Sequence, residues 1–299
     1  MNYQWYPGHM TKAKRMMQEN ISLIDLIIEI VDARIPLSSR NPDIDELGKN
    51  KSRIILLNKS DLSDGKYNEL WMNYFKEKGF HVVLVNSKNG QGVKSIQNVV
   101  QEACKEKIER DRKRGIINRP VRAMVVGIPN VGKSTFINAF AGQACTKTGN
   151  KPGVTKGKQW IRLNKQLELL DTPGILWPKF EDPEVGFRLA ATGAINDDIV
   201  DEDDIAFKLL GFLKERYPKQ LIAKLKEALM EVTAEKRERM AKKGIRKQTI
   251  RCMIVGIPNV GKSTFINILV GKKVAQTGDK AGVTRGKQWI RLDDDLELL

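Results

Sequence analysis

Gly127-Ile-Pro-Asn-Val-Gly-Lys-Ser134 is the stretch that decides the fold. Its Gly-x4-Gly-Lys-Ser spacing is that of a phosphate-binding P-loop. The context agrees: the apolar run VRAMVVG (121–127) predicts a strand leading in, and a helix is predicted from about 133. Glycines let backbone N–H groups approach phosphate oxygens, and the helix N-terminus adds positive potential. The pattern assigns Asn130, Val131, Gly132, Lys133, Ser134 and Thr135 to a nucleotide's phosphates. Lys133 reaches the β- and γ-phosphates and Ser134 ligates Mg²⁺.

The residues that follow extend the same reading. Asp171-Thr-Pro-Gly174 closes the apolar run LELL. Alone, the tetrapeptide also reads as a plain turn. At a strand end downstream of a P-loop, Asp171 is expected as the carboxylate associated with Mg²⁺, and Gly174 as an N–H donor to the γ-phosphate. Between them Lys151-Pro-Gly-Val-Thr155 supplies a threonine, Thr155, that can close on Mg²⁺ when the γ-phosphate is present.

Upstream, Asn58-Lys-Ser-Asp61 follows the apolar run RIILL. A carboxylate at Asp61 can accept both N1–H and N2–H of guanine, a pair that adenine does not offer. The stem of Lys59 can cover the base, and Asn58 can brace the neighbouring loop or contact N7. Asn86, Ser87 and Lys88, at the end of HVVLVN (81–86), are expected to offer a backbone N–H to guanine O6.

Around these motifs, strands are expected at 23–33, 53–58, 81–86 and 121–127, and helices at 11–24, 66–78 and 93–116. QWIRL (159–163) and QLELLD (166–171) read as an antiparallel pair, and the segment from Pro183 to about 243 as helical. Strands alternating with helices predict an α/β fold, a mostly parallel sheet covered on both faces.

The chain has 299 residues, about two domains by length. Lys and Arg total 52 against 36 Asp and Glu, a net charge of +16 that points to a polyanionic partner. No apolar run reaches the roughly 18 residues of a membrane span. The start shows no secretory h-region. The three scattered cysteines suit neither a disulfide framework nor a zinc site and suggest a reducing compartment.

Residues 120–170 and 249–299 align without gaps at an offset of 129, with 33 identities in 51 positions. Gly127–Asn138 recurs unchanged as Gly256–Asn267. The second copy keeps Gly261, Lys262, Ser263 and Thr284 but, up to Leu299, no counterpart of Asp171. It is expected to be an incomplete duplicate rather than a second enzyme. The rival expectation is that it competes with the first copy for the guanine-binding half.

The motif strings resemble the circularly permuted branch of the translation-factor-class GTPases, specifically bacterial large-subunit assembly factors. The resemblance covers about residues 1–220. Besides the GTPase motifs it rests on Trp5-Tyr-Pro-Gly-His-Met10, Val31-Asp-Ala-Arg34, Ser39-Arg-Asn-Pro42 and Asp171-Thr-Pro-Gly-Ile-Leu-Trp-Pro-Lys-Phe180. The guanine motif precedes the P-loop, the reverse of the usual GTPase order. A site built at the carboxyl ends of parallel strands survives that reordering.

The resemblance implies a cytoplasmic, monomeric GTPase that uses GTP/GDP and Mg²⁺. It implies that nucleotide state controls binding to a large ribosomal subunit precursor and its rRNA, with no membrane or DNA partner. The alternative from another class is a GTP-responsive RNA-binding scaffold with little or no turnover. Ile175 stands where small GTPases carry a water-orienting glutamine, so slow intrinsic hydrolysis is expected. Likeness to potassium-activated GTPases implies that the Asn130 oxygen helps hold K⁺; His9 is the other candidate for assisting hydrolysis. Lys12, Lys14, Arg15, Arg34, Arg40 and the run 105–114 are candidate rRNA phosphate contacts. The expected domains are a permuted GTPase domain at 1–180, an abbreviated helical domain and basic linker helix at 181–248, and the duplicate P-loop half at 249–299.

Overall fold

The computed structural model describes residues 8–117, 119–146, 159–195, 202–244, 249–255, 262–270, 274, 289–291 and 296–298. The chain forms two compact units, Met1–Asp201 and Glu202–Leu299.

In the first unit, helix α1 (Gly8–Asn20) precedes strand β1 (Leu26–Asp32), and a short α2 (Asp43–Leu47) precedes β2 (Ser52–Asn58). Then come α3 (Gly65–Glu77), β3 (His81–Leu84), α4 (Ile96–Ala103), α5 (Lys105–Lys113) and β4 (Val121–Val126). Helix α6 (Lys133–Ala141), β5 (Gln159–Arg162), β6 (Leu167–Asp171) and α7 (Pro183–Ala191) complete it. Among the described residues the six strands form one sheet in the order β3-β2-β1-β4-β6-β5. All pairings are parallel except β5 with β6. The α/β class and the antiparallel pair are as expected from the sequence.

The sheet explains the apolar runs. Every residue of β1 is buried, as a central parallel strand covered on both faces requires. Its one acid in mid-strand, Glu29, is compensated by Arg40, whose Nε and Nη2 each lie 3.1 Å from it, and by Arg53 at 2.6 Å. A buried charge is tolerated only when paired in this way. The permuted order leaves a seam where β1 meets β4, with Leu26 opposite Ala123 and Glu29 opposite Val126. On one side lie β1–β3, on the other the P-loop half. The carboxyl ends of β1, β2, β3, β4 and β6 all point to the same edge, which places the motif loops together.

Two local expectations change. The helix expected over 93–116 breaks at Cys104, which is buried with φ −105° and ψ 9°, giving α4 and α5. The strand expected to reach Asn86 stops at Leu84, because Asn86 N–H turns back to the Gln91 carbonyl. The first compact unit runs to Asp201, with Leu189, Ala194 and Ile195 buried in its core.

The second unit contains α8 (Glu202–Arg216), α9 (Pro218–Val232), α10 (Ala234–Lys242), β7 (Ile250–Cys252), α11 (Lys262–Val270), β8 (Ile290–Arg291) and β9 (Leu296–Leu298). The helices from Glu202 onward and the repeat lie in this one compact unit. Leu225 and Leu229 of α9 pack with Ile250 and Leu296.

The strand order β7-β9-β8 reproduces β4-β6-β5 in the same register. Ile250 faces Leu296 as Val121 faces Leu167, and Ile290 faces Leu298 as Ile161 faces Leu169. The Arg251–Glu297 pair at 3.0 Å repeats Arg122–Glu168 at 3.2 Å. One difference is large. Met124 and Val126 are fully buried, while their counterparts Met253 and Val255 are 64% and 77% exposed. In the first copy β1 covers that edge; among the described residues no strand pairs with the equivalent edge of β7.

Candidate functional site

The site begins with Asn58, the last residue of β2, which is buried. Its Nδ2 donates to the Val131 carbonyl at 2.7 Å. Its Oδ1 accepts from Ser87 N–H at 3.0 Å and from the Ser87 hydroxyl at 2.8 Å. One amide thus ties three motif loops from the ends of β2, β3 and β4. Gly132 makes this possible. It sits at φ 95°, and a Cβ there would lie 2.5 Å from Asn58 Nδ2. Only glycine combines that backbone with that proximity.

Lys59 follows in the left-handed region, at φ 59°. Its ammonium lies 3.0 Å from Asp32 at the end of β1. Asp32 also accepts from Arg34 Nε at 2.9 Å and Nη2 at 2.7 Å. Burial raises the Asp32 carboxyl, but the Arg34 hydrogen bond and the Lys59 and Arg34 charges outweigh it and hold the group below its ordinary range. Asp61 is exposed. Asn86 is buried and caps its own loop, accepting from Lys88 N–H at 3.0 Å and Asn89 N–H at 3.3 Å. The N–H groups of Ser87 and Lys88, expected to be offered to a base, are therefore engaged within the loops in this conformation.

On the phosphate side Lys133 opens α6 and is buried, donating to the carbonyls of Gly127 at 3.0 Å and Ile128 at 2.8 Å. Burial pushes its ammonium down, while the Asp171 charge acts the other way. Asp171, at the end of β6, is buried, and among the described residues neither carboxylate oxygen has a well-formed hydrogen bond. Burial pushes its carboxyl up, and the Lys133 charge and, more weakly, the Thr172 backbone N–H oppose the shift. Orphaned buried carboxylate oxygens are uncommon. A hard cation is the partner they fit, so these residues suit Mg²⁺. Thr172 anchors the turn by donating to the Val125 carbonyl at 2.7 Å. Gly174 is pressed against the loop: a Cβ there would lie 2.8 Å from Lys133 Nζ and from the Pro129 N and Cα.

A family model described as 50S ribosome-binding GTPase matches residues 122–241 and 251–299. A relative in Priestia megaterium named ribosome biogenesis GTPase A is 52% identical over 222 residues, 74% of this chain and 77% of that one. This chain belongs to the ribosome biogenesis GTPase A family.

The family reaches further by sequence. A mitochondrial ribosome-associated GTPase 1 of Xenopus tropicalis is 36% identical, covering 71% of this chain and 70% of its own. Among solved structures, GNP-bound YlqF from T. maritima aligns with a TM-score of 0.50 and 28% identity, over 68% of this chain and 75% of that one.

Within this ribosome biogenesis GTPase A fold, the first unit's motif loops meet at one edge of the sheet. Ser134 and Thr135 lie in the first turn of α6, half-buried. Asn130, at φ 57°, donates from Nδ2 to the Gly193 carbonyl at 2.6 Å. Thr155 lies outside the described residues, and His9 lies in α1 but its side chain is outside them. Ile175 is buried in the core, so its side chain cannot orient water. Several expected rRNA contacts are engaged in ion pairs: Arg34 with Asp32, Arg40 with Glu29 and Asp45, Lys107 with Asp25, and, nearer the surface, Lys14 with Asp43 and Arg15 with Glu19. Sequence reasoning missed Asp32 as the partner of Lys59; the signal was the Val31-Asp-Ala-Arg34 string, quoted for resemblance alone. It also missed Gly193, whose role rests on a backbone carbonyl that no side-chain motif reveals.

Proposed function

We propose that this chain hydrolyses GTP and assists assembly of the large ribosomal subunit, with nucleotide state timing its binding to and release from precursor rRNA. The observation that carries the reading is the Asn58 amide, which locks the guanine motif, the Ser87 loop and the P-loop into one constellation. Such a lock serves a ligand that spans all three loops, as a guanine nucleotide does.

In this reading the exposed Asp61 accepts guanine N1–H and N2–H, and the Lys59 stem, held by Asp32, covers the base. Backbone N–H groups of residues 130–135 and the Lys133 ammonium hold the phosphates. Ser134, Asp171 and Thr155 are the residues that would hold Mg²⁺, which supplies charge neutralisation on the β- and γ-phosphates when bound. Gly174 packs close to Lys133 and Pro129, and its N–H would be offered to a γ-phosphate there. With Ile175 apolar and buried, hydrolysis depends on other groups: His9, and Asn130 with K⁺. Exposed basic residues of α5, among them Lys105, Arg110, Arg112 and Lys113, present charge for rRNA phosphates. No helix among the described residues is long and apolar enough to cross a membrane; the proposed place of action is the cytoplasm, as a monomer.

The test is GTP hydrolysis by the full chain, with and without large ribosomal subunits, in K⁺ and in Na⁺. The reading expects slow basal turnover, at least tenfold stimulation by the subunits, and a higher rate in K⁺. GTP binding without any stimulation would instead support a nucleotide-responsive RNA-binding scaffold, the reading that the apolar Ile175 favours. Equal rates in the two salts would remove K⁺ from Asn130.

A further inference from the structure

The segment from Gly174 to Gly193 leaves the P-loop and returns to it. Its first residue lies against Pro129, where a Cβ would come within 2.8 Å of two backbone atoms. Its last residue accepts from the Asn130 side chain at 2.6 Å. Two adjacent P-loop residues therefore hold both ends of the segment that carries α7.

The far end is a built feature. Helix α7 starts on the Asp182 side chain, which accepts from Glu184 N–H, with Pro183 in its first turn. It closes in a Schellman turn. Gly193 N–H donates to the Ala190 carbonyl at 3.0 Å and Ala194 N–H to the Leu189 carbonyl at 2.9 Å, with Gly193 at φ 73°. Ala194 and Ile195 then enter the core. The turn is thus pinned on one side and leaves the Gly193 carbonyl to meet Asn130. Because that partner is a carbonyl, it can only accept, so the Asn130 nitrogen faces it and the oxygen takes the other branch of the amide.

We propose that Gly193 is a positioning residue for the P-loop, and that the Asn130–Gly193 contact makes α7 the helix that senses occupancy of the nucleotide site. The inference rests on reading that site as described above. A phosphate bound on the loop backbone restrains Asn130, and Asn130 restrains the end of α7. By reciprocity, whatever draws α7 away releases Asn130 and weakens the nucleotide by the same factor. A binding partner that engages α7 would in this way discharge the nucleotide without touching it.

Hydrogen exchange on the full chain tests the coupling. Saturating GDP is expected to slow exchange of the α7 amides at least fivefold in the unmodified protein. Asn130→Asp keeps an oxygen but loses the donor, and Gly193→Pro cannot adopt φ 73°. Both should abolish the GDP-induced slowing, and the double variant should show no further loss. Gly193→Ala meets nothing within 4 Å but is strained at φ 73°, so it should reduce the slowing less than Gly193→Pro does. Unchanged protection of the β1 and β2 amides reports that each variant is folded. Equal slowing of α7 in all proteins overturns the proposal, as does GDP binding with no effect on α7. Absence of GDP binding to the unmodified chain overturns the site reading itself.

Discussion

Asn58 and Val131 are 73 residues apart in sequence, and the amide of one donates to the carbonyl of the other across 2.7 Å in a buried environment. This bond joins the two halves of the permuted domain at the site rather than along the sheet. Asn58→Ala leaves the Val131 carbonyl and the Ser87 donors without that partner. A buried group so stranded costs about 1–3 kcal/mol. Guanine nucleotide affinity is expected to fall about tenfold to a hundredfold, read by fluorescence titration with a labelled GDP. Asn58→Asp can still accept from Ser87 but sets an acceptor against Val131, so it should be no better than alanine. A milder loss in the aspartate variant would show that the Val131 bond contributes little.

Glycine at 132 is the complement of that asparagine. Gly132→Ala adds a Cβ within 2.5 Å of Asn58 Nδ2 at φ 95°. Strain at such a position costs of order 1–3 kcal/mol, and the collision also displaces Asn58. Nucleotide binding should be reduced more than by Asn58→Ala. Binding within twofold of the unmodified protein would contradict the geometry.

The Lys59–Asp32 pair gives a separate handle on the base. Removing the charge with Asp32→Asn frees Lys59 from its anchor but keeps the side chain's shape. Affinity for GDP should drop about fivefold, and Lys59→Ala in the same background should then cost little more, because the two act as a unit. Additive losses in the double-mutant cycle would separate them.

The Asp171 carboxyl is pushed up to about 6 by burial, with the Lys133 charge opposing. A raised carboxyl pKa stabilises the fold below the unfolded value of 3.8 and loses that contribution as pH rises through about 6. A cation needs the ionised form, so Mg²⁺ affinity in the GDP complex should fall as pH drops below about 6, approaching tenfold per pH unit. Asp171→Asn should bind Mg²⁺ weakly and show no such slope. A steep slope surviving in that variant would assign the titration to another group.

The second copy predicts a stoichiometry. Lys133→Ala should abolish GDP binding to the full chain and Lys262→Ala should leave it intact at one nucleotide per chain, measured by calorimetry. Two nucleotides per chain, or a loss on Lys262→Ala, would make the copy a working site. Its edge, where Met253 and Val255 are exposed, is an aggregation hazard of the kind unpaired strands create. Met253→Lys with Val255→Lys should raise solubility without changing GDP binding.

Local chemistry made much of the molecule legible. Apolar runs of strand length, a glycine loop entering a helix, and acids at strand ends each carry their meaning within a few residues. From them the sequence by itself determined the α/β class, the motif order and the repeat at 129 residues. Tertiary structure decided what depends on contacts between distant residues. It showed that Asn58 serves as a brace between loops, that Arg34 and Arg40 are internal partners of acids, and that α7 belongs with the first unit. It also joined Asn130 to a backbone carbonyl 63 residues away. The physical reason is the same in each case. A side chain's type states what bonds it can make, but only the packed sheet brings a partner within 3 Å and removes the water that would otherwise take its place.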